Sequence, residues 1–259
     1  MSNGLLRTFK ITGLALTLWV SMSADAGLLG FGGDSWKEEV LLHDGSKLIA
    51  ERTVKRGGRH EIGQQPPVKE ESMVFNLPTT NERITWKSEF SADIGFADFM
   101  PLLLDIFHGT AYVVTSPVGC LSYNKWGRPN PPYVVFKYQG KEWQRIPLQE
   151  LPAEFKIPNL IISSPDNEVK KMGKSLVTVA MVQRANSDLT QPEFKTILRE
   201  GVKNAGGSRC GEMVYDGKGG WIGVGWFRDQ PSYEACLKYC AQQNINAQYC
   251  PCNTLFKGK

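Results

Sequence analysis

Six cysteines constrain what this chain can become, and their placement is lopsided: Cys120 stands alone, while Cys210, Cys236, Cys240, Cys250 and Cys252 crowd the last fifth of 259 residues. An even number of cysteines in an oxidising compartment reads as disulfides. Zinc is the competing reading, but structural zinc sites favour close Cys-x2-Cys pairs, whereas the tail offers Cys236-x3-Cys240 and Cys250-x-Cys252. A redox-active dithiol also wants Cys-x-x-Cys, which is absent. Cys236 and Cys240, four apart, share one face of a helix, and Cys250 and Cys252, two apart, share one face of an extended segment. The simplest staple therefore joins that helix to the chain end. Cys120 and Cys210 are left to pair and tie the tail to the rest, or to stay reduced. A closed loop of about 15 residues is worth roughly 3 kcal/mol in the chain-entropy model, and so small a tail has little core without it.

An oxidising compartment requires export, and the N-terminus has the order of an export signal. Arg7 and Lys10 precede an uncharged run over residues 11–23, followed by Ala24-Asp25-Ala26, the small-x-small pattern of a cleavage site. The run is too short to cross roughly 30 Å of hydrocarbon, so cleavage after Ala26 is expected, with no Cys near the junction to carry a lipid. The mature chain is then soluble and periplasmic or extracellular. Losing Arg7, Lys10 and Asp25 moves the formal charge from +4 to +3. Its Lys and Arg are interleaved with acids, as in Trp36-Lys37-Glu38-Glu39, which describes solvated faces rather than a nucleic-acid stripe. Hydrophobic content of 41% suffices for a real core.

From Trp36 onward the hydrophobic pattern has a period of two. Residues 40–43 and 47–52 flank Asp44-Gly45, which suits a two-residue hairpin turn. Residues 72–77 and 83–90 flank a Pro-Thr-Thr-Asn turn, and Ile84, Trp86 and Phe90 alternate with polar neighbours. Residues 56–67 read as a mobile surface loop. Residues 96–107 look helical, with Phe99, Leu102, Leu103 and Ile106 at i, i+3, i+4 and i+7 and Pro101 in the first turn. Strands are expected at 112–115, 133–138, 143–146, 160–163 and 176–183, a short helix at 192–200, a strand at 221–227, and a helix opening at Pro231-Ser232 and running through Gln243. The fold class is α+β and β-rich: an antiparallel, hairpin-built main module (27–200) after the signal (1–26), a linker (201–209), and a small disulfide-stapled module (210–259).

Two segments are candidate binding surfaces. Residues 124–132 hold three prolines and read as a rigid exposed loop, on which Tyr123, Trp126, Arg128, Asn130 and Tyr133 would present rings, a guanidinium and an amide at low ordering cost. The alternative is that Trp126 and Tyr133 cap the core. In the tail, Trp221 and Trp226 flank a Gly-rich strand, where glycines allow close approach of a ligand or of another backbone. Catalysis finds little purchase. His43, His60 and His108 have plainer explanations as a strand-end residue, a loop residue and a helix-end cation. No Gly-x-Ser-x-Gly, His-Glu-x-x-His or phosphate-cradling loop occurs. Dispersed carboxylates such as Asp98 with Asp105, or Glu150 with Glu154, remain as arbitrary suspects for glycoside-type hydrolysis.

The phrases WKEEVLLHDGSKL, RITWKSEF, SYNKWGRPNPPYVVFKY and WQRIPL resemble a group of exported bacterial proteins of no assigned activity, which implies export and a shared fold. The run EACLKYC followed by YCPCNTL resembles the small WSC and PAN/apple modules, which implies carbohydrate or protein binding. The expectation is a non-enzymatic binding or envelope-associated protein without cofactor or metal, taking a protein or carbohydrate ligand. A secreted hydrolase and an inhibitor or immunity-type protein are the alternatives.

Overall fold

Alternation builds the first sheet. In the computed structural model, which describes residues 33–203 and 210–256, strands β1 (Asp34–Leu41), β2 (Lys47–Arg56), β3 (Val68–Asn76) and β4 (Arg83–Glu89) form an antiparallel meander. Leu48, Ala50 and Val54 of β2, and Ile84 and Trp86 of β4, point into the core while their neighbours face water. The 1–26 segment and residues 204–209 of the linker lie outside the described residues. The first hairpin forms with a longer loop than expected: Leu42 and Ser46 still pair, and Gly45 turns the chain at φ +85°. That is a three-residue connection with glycine in the left-handed region. Asp44 Oδ1 fixes it by accepting from the Ser46 N–H (2.9 Å) and hydroxyl (2.6 Å).

The second sheet corrects the sequence reading of residues 96–107. They form a strand, β5 (Phe99–Phe107), which heads an antiparallel meander with β6 (Thr110–Pro117), β7 (Val134–Gln139) and β8 (Glu142–Ile146). The apolar run is continuous because β5 is covered on both faces. Phe99, Leu104 and Ile106 face the first sheet, and Leu102 and Leu103 face the other way. A strand buried on both faces has no alternation, and its run mimics a helical stripe. Pro101 sits beside a bulge in this edge strand, where a missing N–H costs no ladder bond. His108 is therefore not a helix-end cation: with Gly109 it forms the two-residue β5–β6 turn, both at positive φ.

The two sheets enclose the main core, with Met73, Phe75 and Trp86 of the first against Val113 and Val134 of the second. The outer face of the second sheet is sealed by Leu151, Phe155, Ile162 and Ile197 from irregular segments. Residues 160–163 are not a strand. Leu160, Ile161 and Ile162 are buried in extended chain whose N–H groups go elsewhere: Ile161 to Glu38 Oε1 (2.8 Å), Ile162 to Asn186 Oδ1 (3.1 Å) and Leu160 to the Leu102 carbonyl. Helix α1 (Gly119–Lys125) joins β6 to β7. Helix α2 (Pro165–Met172) leads to β9 (Leu176–Val177), which pairs parallel with β1 and stops after two residues, giving way to helix α3 (Val179–Ala185) where a longer strand was expected. The helix expected at 192–200 shortens to one turn, α4 (Pro192–Lys195).

In the tail, β10 (Met213–Tyr215) pairs with β11 (Trp221–Gly223). The expected strand ends there, and α5 (Gly225–Arg228), α6 (Tyr233–Gln242) and α7 (Cys252–Phe256) follow. Ser232 caps α6, accepting from the Ala235 N–H. The bridges are Cys236–Cys252, Cys240–Cys250 and Cys120–Cys210: the helix is joined to the chain end as expected, though Cys252 opens α7 rather than sharing an extended segment with Cys250. Among the described residues no helix is long and apolar enough to cross a membrane.

Candidate functional site

The proline-rich loop is a seam rather than an exposed platform. Tyr123, Pro131, Pro132 and Tyr133 are buried. Tyr133 donates its hydroxyl to the Glu193 and Thr196 carbonyls (2.8 and 3.1 Å) and accepts from the Leu198 N–H, and burial pushes its phenol up to about 12. Arg128 stacks over the Tyr123 ring and donates to the carbonyls of Cys210 (2.9 Å) and Gly211 (3.1 Å). Asn130 exchanges two hydrogen bonds with the Val202 backbone. Half-buried Trp126 packs on Phe99, carries Arg145 on its face and donates to Asp98 Oδ2 (2.9 Å). The loop reads as exposed in sequence because prolines and polar side chains usually face solvent. Here their donors are spent on the segments that lead into the tail, and the Cys120–Cys210 bridge closes the same seam.

The tail aromatics divide. Trp221 is half-buried, stacks on Tyr215 and donates its indole N–H to the Asp93 carbonyl (2.7 Å), tying β11 to the main module. Trp226 leaves the strand face because the chain turns helical after Gly223, and it is 66% exposed. It is the one residue of the sequence-derived set whose ring is largely in solvent.

The described residues enclose a cleft of about 660 Å³ that the sequence did not announce. One wall is the end of β1 with the hairpin turn, Leu41 to Gly45; the opposite walls are the 154–159 connector, α3 and α4. Its surface is mainly apolar, from Leu41, Ile157, Pro158, Val179, Val182 and Phe194, with Glu154, Lys156, Gln183, Ser187 and Lys195 adding polar groups beside His43, Asp105 and two asparagines. Such a concavity with few polar groups is the usual form of a small-molecule site. Two amides hold its walls together. Asn159 bridges the Leu41 and Leu104 carbonyls and accepts from the Leu104 N–H, and Asn186 clasps Leu160 and Ile162.

His43 and Asp105 meet in this cleft. His43 Nδ1 lies 2.8 Å from Asp105 Oδ1, and its backbone N–H donates to Oδ2 at 2.9 Å. The Asp105 side chain is 3% exposed against 17% for His43, and burial raises its pKa above the ordinary carboxylate value despite the histidine bonds. The ring is wedged between Phe107 and Phe155, and its Nε2 has no hydrogen-bond partner among the described residues. An imidazole fixed at Nδ1 by a carboxylate can accept a proton or a hydrogen bond at Nε2. Of the suspected carboxylates, Asp105 and Glu154 share the cleft. Asp98 belongs to the seam, beside Lys125 and Trp126, and Glu150 lies on an exposed 3-10 turn. His60 lies in an exposed loop bonded to the Gly58 carbonyl. Residues 43 and 105 are 62 apart in sequence, and nothing local signals their meeting.

Comparison of the chain with protein-family models, with curated proteins and with solved structures gave no match.

Proposed function

We propose that this is an exported, non-enzymatic binding protein that takes a small amphipathic ligand with an acidic head group in the cleft beside His43. The observation that carries this reading is the cleft itself: about 660 Å³, walled by apolar side chains, with Lys156, Lys195 and His43 at its polar positions against one exposed acid, Glu154, the second acid, Asp105, being buried and bonded to His43. Apolar walls favour a hydrocarbon body at about 25 cal/mol per Å² buried, and the two ammonium groups favour an anionic head over a neutral sugar. Three disulfides support a working place outside the reducing cytoplasm, and the Ala24-Asp25-Ala26 junction supports the route. Purification under native conditions from outside the cytoplasm, followed by organic extraction and mass spectrometry, tests both halves. The expected result is an acidic amphiphile near one equivalent and a chain beginning at Gly27. Protein that begins at Met1, or that extracts empty, contradicts the corresponding half.

A hydrolytic reading has one observation in its favour, the oriented His43–Asp105 pair. It lacks a nucleophile: no hydroxyl or thiol is hydrogen-bonded to His43 Nε2 among the described residues. Turnover of simple chromogenic esters that disappears in His43→Ala would promote it over the binding reading.

A further inference from the structure

The charges that line the cleft cancel until His43 takes a proton. Lys156 of the connector and Lys195 of α4 bring two positive charges, Glu154 and Asp105 bring two negative ones, and the lining residues of α3 are neutral. His43 is the remaining ionisable group of the lining, and its two protonation states offer a ligand opposite surfaces. Asp105 fixes which nitrogen carries the proton of the neutral ring. Its Oδ1 accepts from the Ile106 N–H (2.7 Å) and its Oδ2 from the His43 N–H (2.9 Å). A carboxylate that accepts on both oxygens makes Nδ1, 2.8 Å from Oδ1, the donor. The neutral ring therefore keeps a lone pair at Nε2, on the edge away from Asp105, and meets the oxygens of an acid head as acceptor against acceptor. Protonation turns the same atom into a charged donor and leaves the lining with one net positive charge.

We infer that His43 is the proton-linked contact for the acid head: an anionic ligand is bound with uptake of one proton at Nε2 and released as that proton leaves. The inference rests on the cleft reading above and adds what controls its occupancy. Coupling between two binding events is reciprocal, so an anion seated at Nε2 holds the imidazolium, and acid tightens the grip on the anion. Imidazoles ordinarily change charge between about pH 5 and 8. Two further ionisable groups stand near the ring: Asp44 in the hairpin turn, and His108 in the β5–β6 turn, whose ring centre lies 4.1 Å from that of Phe107. Both line a second concavity, of about 290 Å³, that His43 also borders, where Pro78 and Thr79 add no charge. Hydrogen bonds from Ser46 hold the Asp44 carboxyl below its ordinary value, so it stays charged across this range. His108 is a second imidazole and is removed separately in the test.

The test uses the full chain and two probes with the same rings: 8-anilinonaphthalene-1-sulfonate, whose sulfonate stays ionised, and N-phenyl-1-naphthylamine, which lacks it. Fluorescence titrations are run at about pH 5.5 and about pH 8, with circular dichroism confirming one fold at both. The anion should bind at least about tenfold more tightly in acid, as a charge-assisted hydrogen bond would give, and the neutral probe equally at both. Calorimetry near neutrality, in buffers of different ionisation enthalpy, should register proton uptake with the anion and none with the neutral probe. His43→Gln should hold the anion with the weaker affinity at both pH values, and His108→Gln should respond as wild type does. Equal anion affinity at the two pH values, an equal gain for the neutral probe, or a response kept in His43→Gln or lost in His108→Gln would each overturn the inference and leave the cleft reading standing. Absence of saturable binding of either probe at either pH would overturn both.

Discussion

Arg52 breaks the rule that makes the first sheet readable. It occupies an inward position on β2 between Ala50 and Val54, fully buried, where alternation calls for an apolar side chain. Its guanidinium is held by Glu38, Glu71 and the Ile161 carbonyl, and it stacks on Trp36. Burial lowers the Arg52 pKa and the two carboxylates more than restore it, while burial raises that of Glu71. Glu38 also accepts from the Ile161 N–H and the Trp36 indole, so the cluster pins an irregular segment to the sheet. Truncating one partner of such a buried set strands the remaining charges. Arg52→Ala should cost about 3–5 kcal/mol in urea unfolding, whereas Arg52→Met combined with Glu38→Gln and Glu71→Gln should cost much less. Equal losses would show that packing, not charge, sets the cost.

A second ion pair belongs to the same scale and gives a pH dependence. Burial alone would raise the pKa of Asp166, but its hydrogen bonds and charge contact with Arg56 prevail and hold it below the ordinary 3.8. A depressed carboxylate contributes stability that is present above its unfolded value and lost as pH falls through its folded one. The stability gap between wild type and Arg56→Gln should be full near neutrality and should close well below pH 3.8. A gap that persists unchanged in acid would show that Arg56 acts through packing alone.

At the scale of elements, legibility follows burial. The hairpins around Asp44-Gly45 and at residues 77–82 were visible because one face of each strand is wet and the other dry. Strand β5 was not, because both of its faces are covered and a buried strand has the same hydrophobic profile as a buried helix. Residues 160–163 read as a strand by composition, yet the N–H groups of Ile161 and Ile162 go to the side chains of Glu38 and Asn186, partners invisible from the segment itself. The amide of Asn159 performs the same service for β5 and β1. Asn159→Ala would leave three backbone groups without this partner. It should destabilise the fold by about 1–3 kcal/mol, and hydrogen exchange at Leu104 should accelerate. Unchanged exchange at Leu104 would show that water replaces the amide without loss.

At the scale of the molecule, covalent and polar links converge where the tail meets the main module: the Cys120–Cys210 bridge, Arg128 on the Cys210 and Gly211 carbonyls, and Trp221 on the Asp93 carbonyl. The staple from helix to chain end is legible because Cys236 and Cys240 share a helical face, but which of them meets Cys250 and which Cys252 depends on how α6 packs against α7. The cleft was not, because its walls come from the first hairpin and from segments more than a hundred residues later, joined only by tertiary packing. The aromatic loop reads as exposed by composition, while its side chains are spent on the seam. Trp126→Ala should therefore lower the melting temperature by several degrees, as loss of a half-buried ring would. Its effect on ligand capture separates seam from binding surface.

The proposed binding belongs to the cleft and not to the aromatic loop. Its most direct measurement is a fluorescence titration of the full chain with 8-anilinonaphthalene-1-sulfonate, an apolar anion, displaced by dodecanoate, for wild type, Gln183→Trp and Trp126→Ala. Gln183 is exposed on α3 and lines the cleft, so a tryptophan there fills the space without burdening the core. The account predicts one saturable, displaceable site in wild type, at least about tenfold weaker in Gln183→Trp, and unchanged affinity in a thermally weakened Trp126→Ala. Wild-type affinity in Gln183→Trp, with binding lost in Trp126→Ala, would contradict it.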